Sequence, residues 1–354
     1  MAKEVRKVHI SVTSNASKDL NKGTVAAKGL SGSLKGVGAA ANMATGGIRA
    51  MTAALLSSGV GVLVVGLGAL VAGIGGVISK SAQYEKALSG LKAITGASAE
   101  DIARLSSEAK KLGSTTAFTA SDVVSLQTEL AKLGFKTDDI SNSTEGILDL
   151  AAALDIDLAS AAEFTGSLVR SFGLTTAETS RVVDVMASST SNSALNFEAL
   201  RESMKMVAPV AKATGVSIEK TTALLAVLAD RGLKGSMAGT GLAQTFIHLN
   251  KKGLTLEQAM EKVSNSSNKL ATAMKLADVR GGRALLTLAE GAEDIGKLEM
   301  AFNNASGAAK TLADERLNNL SGDVTILKSA WEGFILAIED GTGGLNKLGR
   351  FLVK

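Results

Sequence analysis

Cysteine is absent from the 354 residues, so disulfides, thiolate metal sites and thiol nucleophiles are excluded. Proline occurs once, at Pro209, and tryptophan and tyrosine once each, at Trp331 and Tyr84; aromatics total 3%. Enzymes of this length usually carry more of all three. Scarce proline leaves helices unbroken, and the abundant alanine and leucine favour them. Only two histidines are present, His9 and His248, so a multi-histidine metal centre would need these two to meet. Met1 to Val12 lacks the apolar core of a secretory signal, and none is expected.

What is present is unevenly spread. Net charge is +4, yet residues 1–50 hold eight Lys/Arg against two Asp/Glu, and the rest holds 30 against 32. The basic arm suits DNA, a membrane surface or an acidic partner, or is a solvated helix face. No aromatics are interleaved with these lysines, which argues against base stacking. In residues 5–13, Val8, Ile10 and Val12 alternate with polar residues and predict one short strand. Leu30, Leu34, Val37, Ala41, Ala44, Ile48, Met51 and Leu55 follow an alternating 4 and 3 spacing, that of a coiled-coil seam.

From Ala50 to Ser79 there is no charge at all. About 20 residues of helix span a bilayer core, so this stretch is long enough to cross one. Its last part repeats every seven residues, with glycines at Gly59, Gly66 and Gly73 and again at Gly61, Gly68 and Gly75, and with Leu63 and Leu70 between. Positions two apart lie about 200° apart on a helix. Two glycine stripes therefore occupy nearly opposite faces, and each admits a close neighbouring backbone. A membrane helix and a helix packed among copies in an oligomer both fit.

Residues 81–310 carry recurrent helix-start signals. Ser98-x-x-Asp101, Thr119-x-x-Asp122, Thr175-x-x-Glu178 and Thr255-x-x-Gln258 have capping-box form. Glycines at 134, 173, 215 and 253, each followed by an apolar residue and then a polar one, are 39, 42 and 38 residues apart and predict loosely repeated helical hairpins. Beyond them, Ala313, Leu317, Leu320, Val324, Leu327, Trp331, Phe334 and Ile338 again alternate 4 and 3, predicting an amphipathic helix or the start of an oligomeric coiled coil. Nothing caps the chain at Lys354, and a natural continuation is expected. The fold class expected is all-α: a helical-hairpin core with long flanking helices and one glycine-striped hydrophobic helix. The divisions are 1–49 (basic arm and amphipathic helix), 50–80 (glycine-rich helix), 81–310 (core) and 311–354 (amphipathic helix).

A search for chemistry finds little. Arg231 to Gly241 is rich in glycine, but no lysine stands where a phosphate loop needs one; a tight helix connection is the better reading. His248 lies in an apolar helical context, that of a core or surface histidine. Asp138/Asp139 and Asp155/Asp157 fit helix starts, where carboxylates favour the macrodipole. Arg280-Gly-Gly-Arg283 reads as a short basic turn. No catalytic, cofactor-binding or metal residues are expected.

Residues 82–250 resemble a known family. The segments are Ala82-Gln-Tyr-Glu-Lys-Ala-Leu88, Leu91 to Ser98, Ala109 to Val123 and Glu129 to Phe135, then Phe172-Gly-Leu174, Val207 to Ala211, Gly215 to Glu219 and Leu225 to Leu242. In this order they resemble the core domain of phage tail tape measure proteins. The resemblance implies a non-enzymatic tail protein that occupies the tube lumen in a few copies, three or six, while tube subunits polymerise around it and its length sets tail length. It implies release before the DNA, help to DNA in crossing the host envelope, and a host inner-membrane encounter suited to residues 50–79. The implied partners are the tail tube protein, tail assembly chaperones, baseplate or tail tip proteins, further copies of the chain and phage DNA. The implied location is the virion, after synthesis in the host cytoplasm. The alternative is a pore-forming or translocator protein of a phage-derived injection particle.

Overall fold

The computed structural model describes the backbone of residues 79–342, and side chains as far as 336. The expected strand at 5–13, the seam from Leu30 to Leu55 and the glycine stripes lie outside these residues. All regular structure described is helical. Residues 83–333 form one unit; the described parts of the other are residues 79–82 and 334–342.

After helical residues 79–95 come α1 (Ala99–Thr115), α2 (Ala120–Lys132), α3 (Thr137–Leu154), α4 (Leu158–Phe172), a 3₁₀ turn (Thr176–Glu178) and α5 (Thr179–Ser191). Then follow α6 (Phe197–Ala213), α7 (Ile218–Asp230), α8 (Gly235–Lys251), α9 (Leu256–Ser264) and α10 (Lys269–Glu290). The last are α11 (Ala292–Asn303), α12 (Ala308–Leu317) and α13 (Leu320–Thr342).

Local chemistry sets most of these boundaries. Ser98, Thr119 and Thr255 accept the backbone N–H three residues on, and Thr175 opens the 3₁₀ turn with Glu178 bonded back to its N–H. A lost cap of this kind costs about 1 kcal/mol. The glycines at 134, 173, 215 and 253 all have positive φ, between 63° and 85°. At each, the glycine N–H bonds the carbonyl three residues back, and the next N–H bonds the one five back, as in Gly134 to Ala131 and Phe135 to Leu130. That pair satisfies the last carbonyls of the helix and reverses the chain. Asp155 fills the same left-handed position with φ 55°. It therefore ends α3 and does not start a helix; Asp157 does, by capping α4.

The reversals arrange the helices in two rows. One runs α2, α4, α6, α8, α10, each against the next of its row; the other runs α3, α5, α7 and then α11. Each hairpin thus contributes a helix to each row, and their facing surfaces form a core of Leu126, Leu130, Ile147, Leu168, Met186, Leu200 and Leu224. Phe164 and Phe197 meet edge to face at 5.3 Å, worth about 1 kcal/mol beyond their burial. The α9 helix packs instead on α10.

The glycine-rich stretch from Arg231 does two jobs. Gly232 and Gly235 make the turn at positive φ. Gly239 lets α8 lie against α6: a Cβ there would stand 2.3 Å from the Ser203 carbonyl oxygen. Ser203 Oγ reaches across to Gly235 O at 2.8 Å. On the other side, Thr245 Oγ1 donates to Gly281 O of α10 at 2.9 Å.

Arg280 to Arg283 is not a turn. It lies in the second half of α10, just past a bend at Ala277 (φ −132°, ψ 18°) and Asp278 (φ 63°, ψ −176°). The Asp278 conformation is nearly reserved for glycine and costs about 1–3 kcal/mol. Its carboxylate accepts the N–H of Val279 at 2.6 Å, opening the second half. The bend presses Gly282 onto the Met274 backbone, where a Cβ would come within 2.7 Å.

Candidate functional site

Two features of residues 83–333 remain after the core is accounted for: a cleft beside α12, and the outer face of α13. Asp184 of α5 accepts the N–H groups of Gly307 and Ala309 at 2.9 and 3.0 Å, holding the N-terminal end of α12. At its other end Arg316 donates to Ala153 O at 3.2 Å and to Asp155 Oδ2 at 3.1 Å. So fixed, α12 covers α3 and α5. Beside it lies a cleft of about 460 Å³. Phe118, Leu148 and Ile326 line it with Asp149, Lys310 and Asp314. Burial pushes the Asp149 carboxyl up to about 6, against the pull of Lys310 and with help from Glu145. Among the described residues, no group of three or more His, Asp or Glu could hold a metal ion.

The expected continuous helix from Ala313 to Ile338 is two helices. Asn318 leaves the helical region (φ −75°, ψ 64°), and Asn319 accepts the Gly322 N–H at 3.0 Å to start α13. Gly322 is required: a Cβ would lie 2.0 Å from Leu317 O. Ala313 is buried on α12, and Leu317 closes α12 and lines the cleft. Leu320, Val324, Leu327 and Trp331 share one exposed face of α13. Phe334 and Ile338 lie further along the same helix, in the other unit, and the side chain of Ile338 is outside the description. Gly59, Gly61, Leu63, Gly66, Gly68, Leu70, Gly73 and Gly75 are outside the described residues, among which no helix is long and apolar enough to cross a membrane. His248 is half-buried in the last turn of α8, and Asp138 and Asp139 stand in the first turn of α3.

The family model described as phage-related minor tail protein matches residues 106–314, the two rows and most of α12. The chain belongs to this family. It is similar to the tape measure protein of Pneumococcus phage Dp-1, 28% identical over 285 residues, which cover 73% of this chain and 25% of the relative. It is also similar to the probable tape measure protein of Escherichia phage P2, 27% identical over 283 residues, 71% of this chain and 35% of that one. The chain thus spans a quarter to a third of the relatives it matches. No solved structure matches it. The resemblance read in residues 82–250 is the family the comparison returns, a component of the phage tail and so of the virion.

Sequence reasoning missed Asp149, Asp184 and Asp278 as residues with a special place. For Asp184 no local signal exists, since its partners Gly307 and Ala309 are more than 100 residues away in sequence, and Asp149 is shifted chiefly by burial, which only tertiary packing supplies. For Asp278 the periodicity of α10 passes through the bend undisturbed.

Proposed function

We propose that this chain is part of a tape measure protein that sets tail length by templating polymerisation of the tail tube. The observation that carries this reading is the ordered match to the tail-protein family across the helical rows, together with relatives named as tape measure proteins. A helix meters 1.5 Å per residue, whereas hairpins packed side by side do not lengthen in that way. The metering therefore belongs to extended helix outside residues 83–333, and the packed unit serves as an anchor. In this reading several copies lie in the tube lumen, contact tube subunits, assembly chaperones and the baseplate or tip, and leave ahead of the DNA. The glycine stripes from Gly59 to Gly75 supply contacts between copies, or with the host inner membrane during entry.

The test is an in-frame deletion of about 100 residues from an extended helical region of the complete reading frame, with particles imaged by electron microscopy. Tails shorter by roughly 150 Å support the ruler. Tails of normal length that fail to infect would transfer the weight to the second reading, a translocator at the host membrane. That reading is favoured by the charge-free run from Ala50 to Ser79. Leakage of vesicles by a peptide spanning residues 49–80 would support a membrane step in either case.

A further inference from the structure

A helix built permanently into a domain buries a broad apolar stripe. α7 buries eleven of its thirteen residues, Leu224, Leu225 and Leu228 among them. α12, ten residues long, buries two, and both are alanines, Ala309 and Ala313. Its hold on α3 and α5 is polar and sits at its ends. Asp184 accepts the two N–H groups at one end, and Arg316 donates to Ala153 O and Asp155 at the other.

The elements on either side of α12 are anchored without it. Upstream, α11 buries Ile295 and Phe302, and it is tied back by Lys220–Glu299 at 2.8 Å and Arg231–Asp294 at 3.1 Å. Downstream, Ser329 Oγ of α13 donates to Ala117 O at 2.9 Å, and Glu332 Oε1 accepts the Ser121 N–H at 3.1 Å. Between these anchors the backbone leaves the helical region on each side of α12, at Gly307 (φ 79°) and at Asn318 (ψ 64°). A short strap fixed at both ends and turned at two points is a unit that can open by itself, since few apolar contacts oppose it.

Charge under the strap gives it a control. Asp149 of α3 faces Asp184 of α5 and Asp314 of α12, with Glu145 on its own helix, and Lys310 of α12 opposes them. Glu315 of α12 and Asp323 of α13 add carboxylates to the same cleft. The closed strap keeps water from Asp149, and its carboxyl is pushed up to about 6. Lifting α12 readmits water and carries Asp314 away, so the ionised carboxylate favours the lifted state.

We propose that α12 is a latch: it lifts from α3 and α5 in one piece, turning at Gly307 and Asn318, while the two rows stay folded and the cleft loses the wall that Lys310, Asp314 and Leu317 supply. Mild acid fastens the latch and neutral solution loosens it. Below the ordinary carboxyl value of 3.8 Asp149 is neutral in both states; opening then rises until the folded value near 6 is passed, and stays high above it. Discounted for the partial exposure of Asp149, the rise is about tenfold.

Amide exchange of the unsubstituted 354-residue chain, corrected for intrinsic rates, is the test. The amides of α12 should exchange at least about tenfold faster than those of α7, and urea below the unfolding transition should barely alter them, because the opening exposes little surface. Val207→Ala, a cavity in α6 away from α12, should speed exchange in α7 and leave α12 unchanged. If α12 instead exchanges at the rate of α7, with the same response to urea and to Val207→Ala, it opens only as the domain unfolds and the proposal is overturned; should that variant not fold, the urea response of the parent decides alone. Asp184→Ala at one end and Arg316→Met at the other should each speed all α12 amides together, severalfold. Acceleration confined to the nearer end is fraying and overturns the one-piece motion. Asp149→Asn should slow α12 exchange about tenfold at pH 7 and remove its rise between pH 4 and 6; exchange equal to the parent's at every pH overturns the control by charge.

Discussion

Replacing Gly239 by alanine should destabilise the domain, although alanine is the better helix former. In an exposed helix the exchange gains about 1 kcal/mol. Here the new Cβ would stand 2.3 Å from Ser203 O, 2.7 Å from its Cα and 2.8 Å from its carbonyl carbon. Carbon and carbonyl oxygen ordinarily meet at about 3.3 Å or more, so α6 and α8 must part by roughly 1 Å. All three neighbours are backbone atoms, and no side chain can swing away to absorb the change. Separation would also stretch the bond from Ser203 Oγ to Gly235 O and loosen Leu200, Met204 and Leu242 between the rows. Overpacking of this kind costs about 3 kcal/mol or more at its upper end, leaving a net loss of about 2 kcal/mol. For a unit of this size that lowers the melting temperature by roughly 4–8 °C. Gly296 is the control: it is exposed on α11, and a Cβ there meets nothing within 4 Å. Gly296→Ala should raise the melting temperature by roughly 2–4 °C. Both are read by circular dichroism melts of the same preparation. A Gly239→Ala protein that melts at or above the parent, with Gly296→Ala behaving as expected, would refute the close-packing argument.

Arg181 pairs with Glu178 at 2.8 Å and with Glu219, whose side chain is only 6% exposed. Arg181→Met leaves that carboxylate buried without its cation and should cost about 2 kcal/mol in urea unfolding; adding Glu219→Gln should recover most of the loss. Asp149 predicts a dependence on pH. Its carboxyl titrates near 6 in the folded chain against 3.8 ordinarily, so between these values the folded state keeps a proton that the unfolded state has lost. Stability therefore falls as pH rises from about 4 to about 6, and the deficit persists above. Discounted for partial exposure, it amounts to about 1–2 kcal/mol. Asp149→Asn should be the more stable protein at pH 7 by that amount and show a flatter plot of melting temperature against pH.

Chain reversals and helix starts were legible in the sequence because their causes are local. Thr119 caps a backbone three residues away, and Gly134 or Gly253 adopts a conformation that other residues avoid. The same locality explains the errors. Ala313, Leu317 and Leu320 keep coiled-coil spacing across the break at Asn318, because the next helix happens to resume in step. Asp155 looked like a helix start because Asn and Asp also serve in the left-handed position that ends one. The bend at Asp278 is imposed by packing: Gly281 and Gly282 permit contacts with α8 and with Met274 that a straight helix would not make. That α13 carries its apolar stripe outward was also beyond reach, since spacing reveals a stripe and never which side the rest of the chain lies on.

The bonds that fasten α12 and α13 have a consequence for the order in which the chain acquires its structure. Contacts along the rows join helices about 40 residues apart, as Ser143 to Thr179 and Thr245 to Gly281 do. They can form hairpin by hairpin as synthesis proceeds, each unit adding to its neighbour like rungs on a ladder. The clasp spans far more chain: 123 residues from Asp184 to Gly307, 163 from Ala153 to Arg316, and 212 from Ala117 to Ser329. Closing loops of that length is slow, and it comes after the rows have grown. The first hairpins thus wait, assembled but unfastened, for the residues that tie them to the last, and cooperative unfolding of the whole begins only once that tie is made.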